Sequence, residues 1–215
     1  LWEMVTAMTR ISPRVVVENS LRAYTGKVIE RPFGTPRKFP GFDNLIFSPA
    51  QLAVRPENEN VPVKTETVIG PKAKRPLVID IPLMAAGMAY GIGLSEKVKV
   101  AIAKGTAAVG TCTNSGEGAF LPEERAAAKY FILQYASGFW AKDPEILKQA
   151  DAIEIRLGQG AIAAASGFIP GENVQGRMAE LLKVPEGQSL IIPAKHAELP
   201  RGKDLRRLVE KLRSL

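Results

Sequence analysis

Two charged side chains, Glu154 and Arg156, interrupt the otherwise apolar run ADAIEIRLGQGA of residues 150–161. If the run is a strand, its side chains alternate, so the carboxylate and the guanidinium share one face and Ile153, Ile155 and Leu157 the other. A charge on a covered face is costly unless it meets a partner, a ligand or water, so this pair asks for a function. A similar pattern stands upstream in YFILQYAS, residues 130–137, where Gln134 lies opposite Phe131, Leu133 and Tyr135. The alternative for the 150–161 run is an antiparallel edge strand with one wet face, and the second run argues against it.

Glycine-rich segments stand at the ends of successive strand-like runs. MAAGMAYGIG (84–93) offers a backbone with few bulky obstacles, against which a flat ring could lie. TNSGEG (113–118) presents Asn114, Ser115 and the carboxylate of Glu117, and GQGA (158–161) repeats the pattern. Each cluster alone suits a turn as well as a ligand, and the phosphate-loop and dinucleotide fingerprints are absent. Cys112 reads as a buried strand residue, since it has no second cysteine or adjacent histidine to activate it. His196, in PAKHAEL, either reaches a site or plays a structural part. No set of residues has metal-ligand spacing.

The elements that must position these residues alternate from Leu77 onward. RPLVIDIPLMAAGM contains a first strand. Ser95 can cap a helix over 96–108, with Leu94 before it as a possible staple and Gly110 as its stop. VGTCTNS is the second strand. GEGAFLPEERAAAK gives a loop and a helix with an acidic first turn, which the helix dipole favours. YFILQYAS is the third strand, DPEILKQA a helix capped by Asp143 with Pro144 at its first position, and AIEIRLG the fourth strand. GKDLRRLVEKLRSL closes the chain as an amphipathic helix with Leu205, Leu208, Val209 and Leu212 on one side. Such alternation argues for parallel βαβ construction, with polar residues at the strand C-termini, where α/β barrels place their chemistry. Residues 1–76 are rich in turn formers and form an extension that wraps the domain of 77–215.

Composition bounds the classes of function. The 215 residues are 46% hydrophobic and 24% charged, as in globular proteins, and no apolar run approaches a membrane span. A single cysteine and no cleavable signal pattern point to a reducing cytoplasm. The net charge of +7 is carried by the ends: residues 1–76 hold 12 basic and 7 acidic side chains, 77–160 hold 8 and 9, and 161–215 hold 9 and 6. With the glycine-rich middle near neutral and no nucleic-acid motif, nucleic acid is not expected as a partner.

Taken in order, FDNLIFSPAQLA (42–53), TNSGEG, QYASGFW (134–140) and ADAIEIRLGQGA resemble the FMN-binding domain of the glutamate synthase large subunit, particularly its shorter archaeal-type relatives. The similarity runs from about Tyr24 to the C-terminus. It implies a TIM-type (β/α)8 barrel that holds FMN at the C-terminal ends of its strands and reduces 2-iminoglutarate to glutamate, with electrons passing through the flavin. By the same resemblance, Ala86, Gly87 and Met88 run along the flavin, Asn114 and Ser115 lie close to it, and Gln134 hydrogen-bonds the ring. Arg156 stands where the family has a lysine, a cation suited to the charge that reduction places on the ring. Glu117 and Gln159 match positions facing the amino-acid or keto-acid substrate.

Two departures argue against glutamate itself as the product. After GQGA the family continues with a lysine, a proline and a glycine-rich turn, whereas this chain has Ile162, Ala163, Ala164, Ala165, Ser166 and Gly167. Arginine for lysine at 156 also exchanges a compact ammonium for a planar fork. The length is short for a complete barrel of about 250 residues. The expectation is therefore the first four βα units plus an N-terminal extension, a fragment or half needing a complement from a separate chain, self-association or further sequence. The phosphate-binding loops would lie in that other half, so FMN binding by this chain alone would be weak. The family's iron–sulfur cluster needs more than one cysteine. An electron-donor protein is a further expected partner. The alternative function is a non-catalytic assembly module that keeps the fold without the activity.

Overall fold

The computed structural model describes residues 2–27, 29, 40–48, 52–158 and 167–215. Its centre is a parallel sheet of β3 (Cys112–Asn114), β4 (Tyr130–Tyr135) and β5 (Ala152–Ile155), in that order. Helix α3 (Glu96–Ala108) precedes β3, α4 (Pro122–Ala127) joins β3 to β4, and α5 (Pro144–Leu147) joins β4 to β5. The protein is thus mixed α/β with helical crossovers between parallel strands, as the alternation predicts.

The local signals stand where the sequence puts them, though not all of them bond. Ser95 occupies the cap position of α3 but makes no side-chain cap bond. Gly110, just past that helix, has φ +66° and leaves no room for a Cβ beside Asp80. Asp143 caps α5 by accepting from the Glu145 amide at 3.0 Å, with Pro144 at the first helical position. The closing helix α7 (Asp204–Ser214) buries Leu208 and half-buries Leu205, Val209 and Leu212, the four residues predicted for its inner side.

The first expected strand behaves differently. Strand β2 (Leu77–Ile79) pairs antiparallel with β1 (Thr67–Ile69) instead of joining the parallel sheet. Besides side-chain packing, the backbone just after it meets β3 and its approach through the Asp80 amide on the Gly110 carbonyl at 2.9 Å and the Ala85 amide on the Cys112 carbonyl at 3.1 Å, not through a ladder. Pro82 supplies a reason: it has no N–H to give a ladder and ends the strand soon after it starts. The described residues therefore contain three hydrogen-bonded parallel strands, and β1 draws residues before Pro76 into a hairpin with those after it. Helices α1 (Trp2–Arg10) and α2 (Pro13–Thr25) precede this hairpin, and α2 buries none of its side chains.

The sheet has two unlike faces. Phe131, Leu133 and Tyr135, with Ile153 and Ile155, pack against Phe120, Leu147, Leu208 and Leu212, so this is the helix-covered side. Each large apolar side chain buried there contributes about 1.5–3 kcal/mol. On the opposite side Cys112 and Ile132 meet Leu77 and Ile79 near the strand N-termini, with Tyr130 and Ala152 alongside. Above them, toward the strand C-termini, that side turns polar. Leu157, expected to extend the aliphatic face, is exposed, because β5 ends at Ile155.

A second small unit, absent from the predicted elements, follows. Strands β6 (Gly167–Ile169) and β7 (Leu190–Ile192) pair antiparallel, with α6 (Arg177–Leu182) between them. Ile169, Val174, Met178, Leu182, Leu190 and Ile192 bury a core shared with Tyr90, Leu121 and Trp140, which ties this unit to the loops above the parallel sheet. Among the described residues, no helix is long and apolar enough to cross a membrane.

Candidate functional site

The polar end of the sheet is assembled from three adjacent strands. The parallel register sets Gln134 beside Glu154, and Asn114 beside Ile132 one step below. Asn114 Nδ2 donates to Glu154 Oε2 at 3.0 Å, and Gln134 Nε2 donates to Glu154 Oε1. Asn114 and Gln134 are buried, whereas Glu154 lies on the open side of the sheet. The parity read from the sequence is thus correct: the charged residues of the fourth expected strand oppose its helix-packed face. Arg156, the residue after β5, turns to the same side and forms an ion pair with Glu117, both side chains being largely buried. Burial pushes the Arg156 pKa down, but a guanidinium so paired stays charged at neutral pH.

The TNSGEG loop is held from below and behind. Lys99 Nζ, on α3, donates to the carbonyls of Asn114 at 2.7 Å and Ser115 at 3.3 Å, and pairs with Glu124 at 2.9 Å. Thr113 Oγ1 donates to Glu124 Oε1 at 3.0 Å. Lys99 and Glu124 are fully buried; burial pushes the lysine pKa down and the carboxyl pKa up, each opposed by the charge of the other. Ser115 Oγ accepts the Gln134 amide at 2.9 Å and donates to the Gly116 carbonyl, while Asn114 Oδ1 accepts the Gly116 amide at 2.9 Å. Ser115 therefore acts within the loop. Trp140 Nε1 donates to the Glu117 carbonyl at 2.8 Å and fixes the backbone from which that carboxylate reaches Arg156.

The segment of Ala86, Gly87 and Met88 is exposed and passes over the two amides. A Cβ at Gly87 would lie 2.6 Å from Gln134 Nε2 and 3.0 Å from Asn114 Oδ1, so only glycine lets the backbone come this close. Gly116, at φ +67°, brings the TNSGEG loop equally close to the backbone of Met88 and Ala89. The structure thus gathers Gly87, Asn114, Gln134, Arg156 and Glu117 around one end of the sheet. Gln159 and Ile162 lie outside the described residues. Cys112 is a buried strand residue, and burial, with Asp151 nearby, pushes its thiol up to about 11.

Several participants escaped the sequence reading. Glu154 was singled out for its parity but given no role, and it proves to be the acceptor shared by both amides. Lys99 falls in the expected helix over 96–108 with no role of its own, and Glu124 in the acidic first turn of the next helix. His196 takes the structural part: Nε2 lies 2.6 Å from the Arg156 carbonyl. Its ring stacks on Tyr135, with centroids 5.8 Å apart and planes 3° from parallel. Among the described residues no group of three or more histidine, cysteine or acidic side chains is arranged to hold a metal ion.

The residues at this end of the sheet suit a planar, electron-rich ring: a close-lying glycine backbone, two primary amides with further N–H groups, and a buried cation. Residues 43–215 match the family described as the conserved region in glutamate synthase. A glutamate synthase large subunit-like protein of Rhizobium meliloti is 34% identical over 195 residues, which cover 90% of this chain and 44% of the relative. The archaeal-type glutamate synthase (NADPH) of Thermotoga maritima is 34% identical over 153 residues, 71% of this chain and 29% of its own. The archaeal glutamate synthase (NADPH) of Methanocaldococcus jannaschii is 29% identical over 231 aligned positions, 94% of this chain and 45% of its own. The chain therefore spans less than half the length of these relatives. On the strength of the match over 43–215, it belongs to the glutamate synthase family, within the conserved region that gives the family its name.

Proposed function

We propose that this chain is the flavin-facing part of an FMN-dependent oxidoreductase related to glutamate synthase, reducing an imino or keto acid of the 2-iminoglutarate kind to an amino acid. The observation that carries the reading is the close approach of Gly87 to the Asn114 and Gln134 amides, on the same side of the sheet as the Arg156–Glu117 pair. Bound FMN would supply the hydride that such a reduction needs. The chain's own residues bind and orient. Gly87 admits the ring, Gln134 and Asn114 offer the amide hydrogens not engaged by Glu154, and Arg156 places a positive charge where reduction of a flavin builds negative charge. Glu117 steers that cation and faces the substrate. The rest of a (β/α)8 barrel, with the phosphate-binding loops, comes from a complementary half, and an electron-donor protein supplies the reducing equivalents. The compartment is the cytoplasm.

FMN titration of the full chain, followed by flavin fluorescence, tests this directly. The expected result is saturable quenching that weakens about tenfold in Arg156→Ala, the loss typical of one charge-assisted contact. A chain that leaves FMN fluorescence unchanged at millimolar protein, alone and with its complementary half, would instead be a non-catalytic assembly module.

A further inference from the structure

We propose that His196 is a positioning residue for Arg156, acting from the helix-covered side of the sheet on a side chain that emerges from the other. The proposal rests on the flavin reading for its purpose but not for its geometry. Arg156 is the first residue past the last ladder position of β5, and its amide still reaches the Tyr135 carbonyl at 3.0 Å. The Arg156 carbonyl is held by His196 Nε2 at 2.6 Å. A carbonyl oxygen only accepts, so the imidazole nitrogen facing it carries a proton. The two peptide planes flanking the Arg156 Cα are therefore each held, the one before it by the strand through the Arg156 amide and the one after it by the imidazole through the Arg156 carbonyl. The direction of its side chain toward Glu117 follows.

The imidazole is itself held in place. It is 7% exposed, stacks on Tyr135, and stands at the end of a chain of contacts in which Tyr135 Oη donates to Glu198 at 3.3 Å and Lys142 Nζ donates to Glu198 at 2.8 and 2.9 Å. Among the described residues Nδ1 is buried without a hydrogen-bond partner, its nearest acid being Glu198 at 4.0 Å. Leaving a buried ring nitrogen unpaired is costly, and the contact on Arg156 is the only hydrogen bond described for this side chain. Lys142, Tyr135, Glu198 and His196 thus form a prop beneath the residue that pairs with Glu117.

Three measurements on the full chain test the proposal. First, the ring ¹⁵N shifts of His196 in the unaltered protein should report a protonated Nε2; an unprotonated Nε2 would overturn the proposal without any variant. Second, His196→Phe keeps the stack and volume but cannot donate. It should move the Arg156 guanidinium NMR signal, whereas His196→Gln, whose amide nitrogen can occupy the Nε2 position, should restore it. A guanidinium signal that is the same in all three proteins would refute the idea even if thermal stability changes. Third, FMN affinity should fall about fivefold in His196→Phe and recover in His196→Gln, the effect of one misplaced hydrogen-bonding group. If the guanidinium moves but no form binds FMN, the positioning role stands and the flavin reading fails.

Discussion

At the scale of single residues, the buried Lys99–Glu124 pair governs the loop that carries Asn114 and Ser115. Removing one partner of a buried ion pair leaves the other charge unpaired, which costs about 3–5 kcal/mol. Lys99→Met is expected to lose that much stability in urea denaturation, because three acceptors, the carbonyls of Asn114 and Ser115 and the Glu124 carboxylate, lose their donor together. The double variant Lys99→Met, Glu124→Leu should lose less than the sum of the two single losses, since neither charge is then stranded. Additive losses would mean that the two side chains act independently. This pair also marks where sequence reading ran out. An acid in the first turn of α4 satisfies the helix-dipole rule on its own, so nothing in the one-dimensional pattern required Glu124 to turn inward. The parity of Glu154 and Arg156 was legible for the opposite reason: two charges among aliphatic neighbours conflict with any burial scheme except the alternating one.

At the scale of elements, the parallel strands and their helices were readable because each carried a cap, a proline or a continuous apolar run. The hairpin of β6 and β7 was not. Its strands are three residues each, GFI and LII, too short to build up a periodic signal, and they pair across more than twenty residues. The antiparallel pairing of β2 was missed because a strand signal does not say which neighbour the strand will choose. The rim formed by β4, β5 and the loop after β7 carries a pH dependence. Partial burial by itself raises the Glu198 pKa, but hydrogen bonds from Lys142, its own backbone and Tyr135, with the Lys142 charge, outweigh it and hold the carboxyl below its ordinary value. A carboxyl depressed in the folded state stabilises the fold above its unfolded pKa, about 4.3, and that contribution is lost as pH falls through the lower folded value. Stability measured from pH 6 to pH 3 should fall less steeply in Glu198→Gln than in the parent. Parallel curves would mean that the Lys142–Glu198 contact adds no stability.

For the whole molecule, the division of the sheet into a helix-covered side and a polar open side is the organising feature. Helices, capping signals and apolar parity build the covered side, and their packing against Phe131, Leu133 and Tyr135 holds the strand C-termini in register. The open side receives what that register delivers: amides from two strands, a carboxylate from the third, and a cation just beyond it. At these strand ends the absence of a side chain at Gly87 lets its loop lie close over the Asn114 and Gln134 amides. A two-dimensional NMR titration of the full chain with FMN, with side-chain amide and guanidinium signals assigned, tests this arrangement most directly. Saturable shifts centred on Gly87, Asn114, Gln134 and Arg156 are expected, with the helix-covered residues unmoved. Shifts centred on the helical layer or the N-terminal helices, or no saturable shift at any residue, would contradict it.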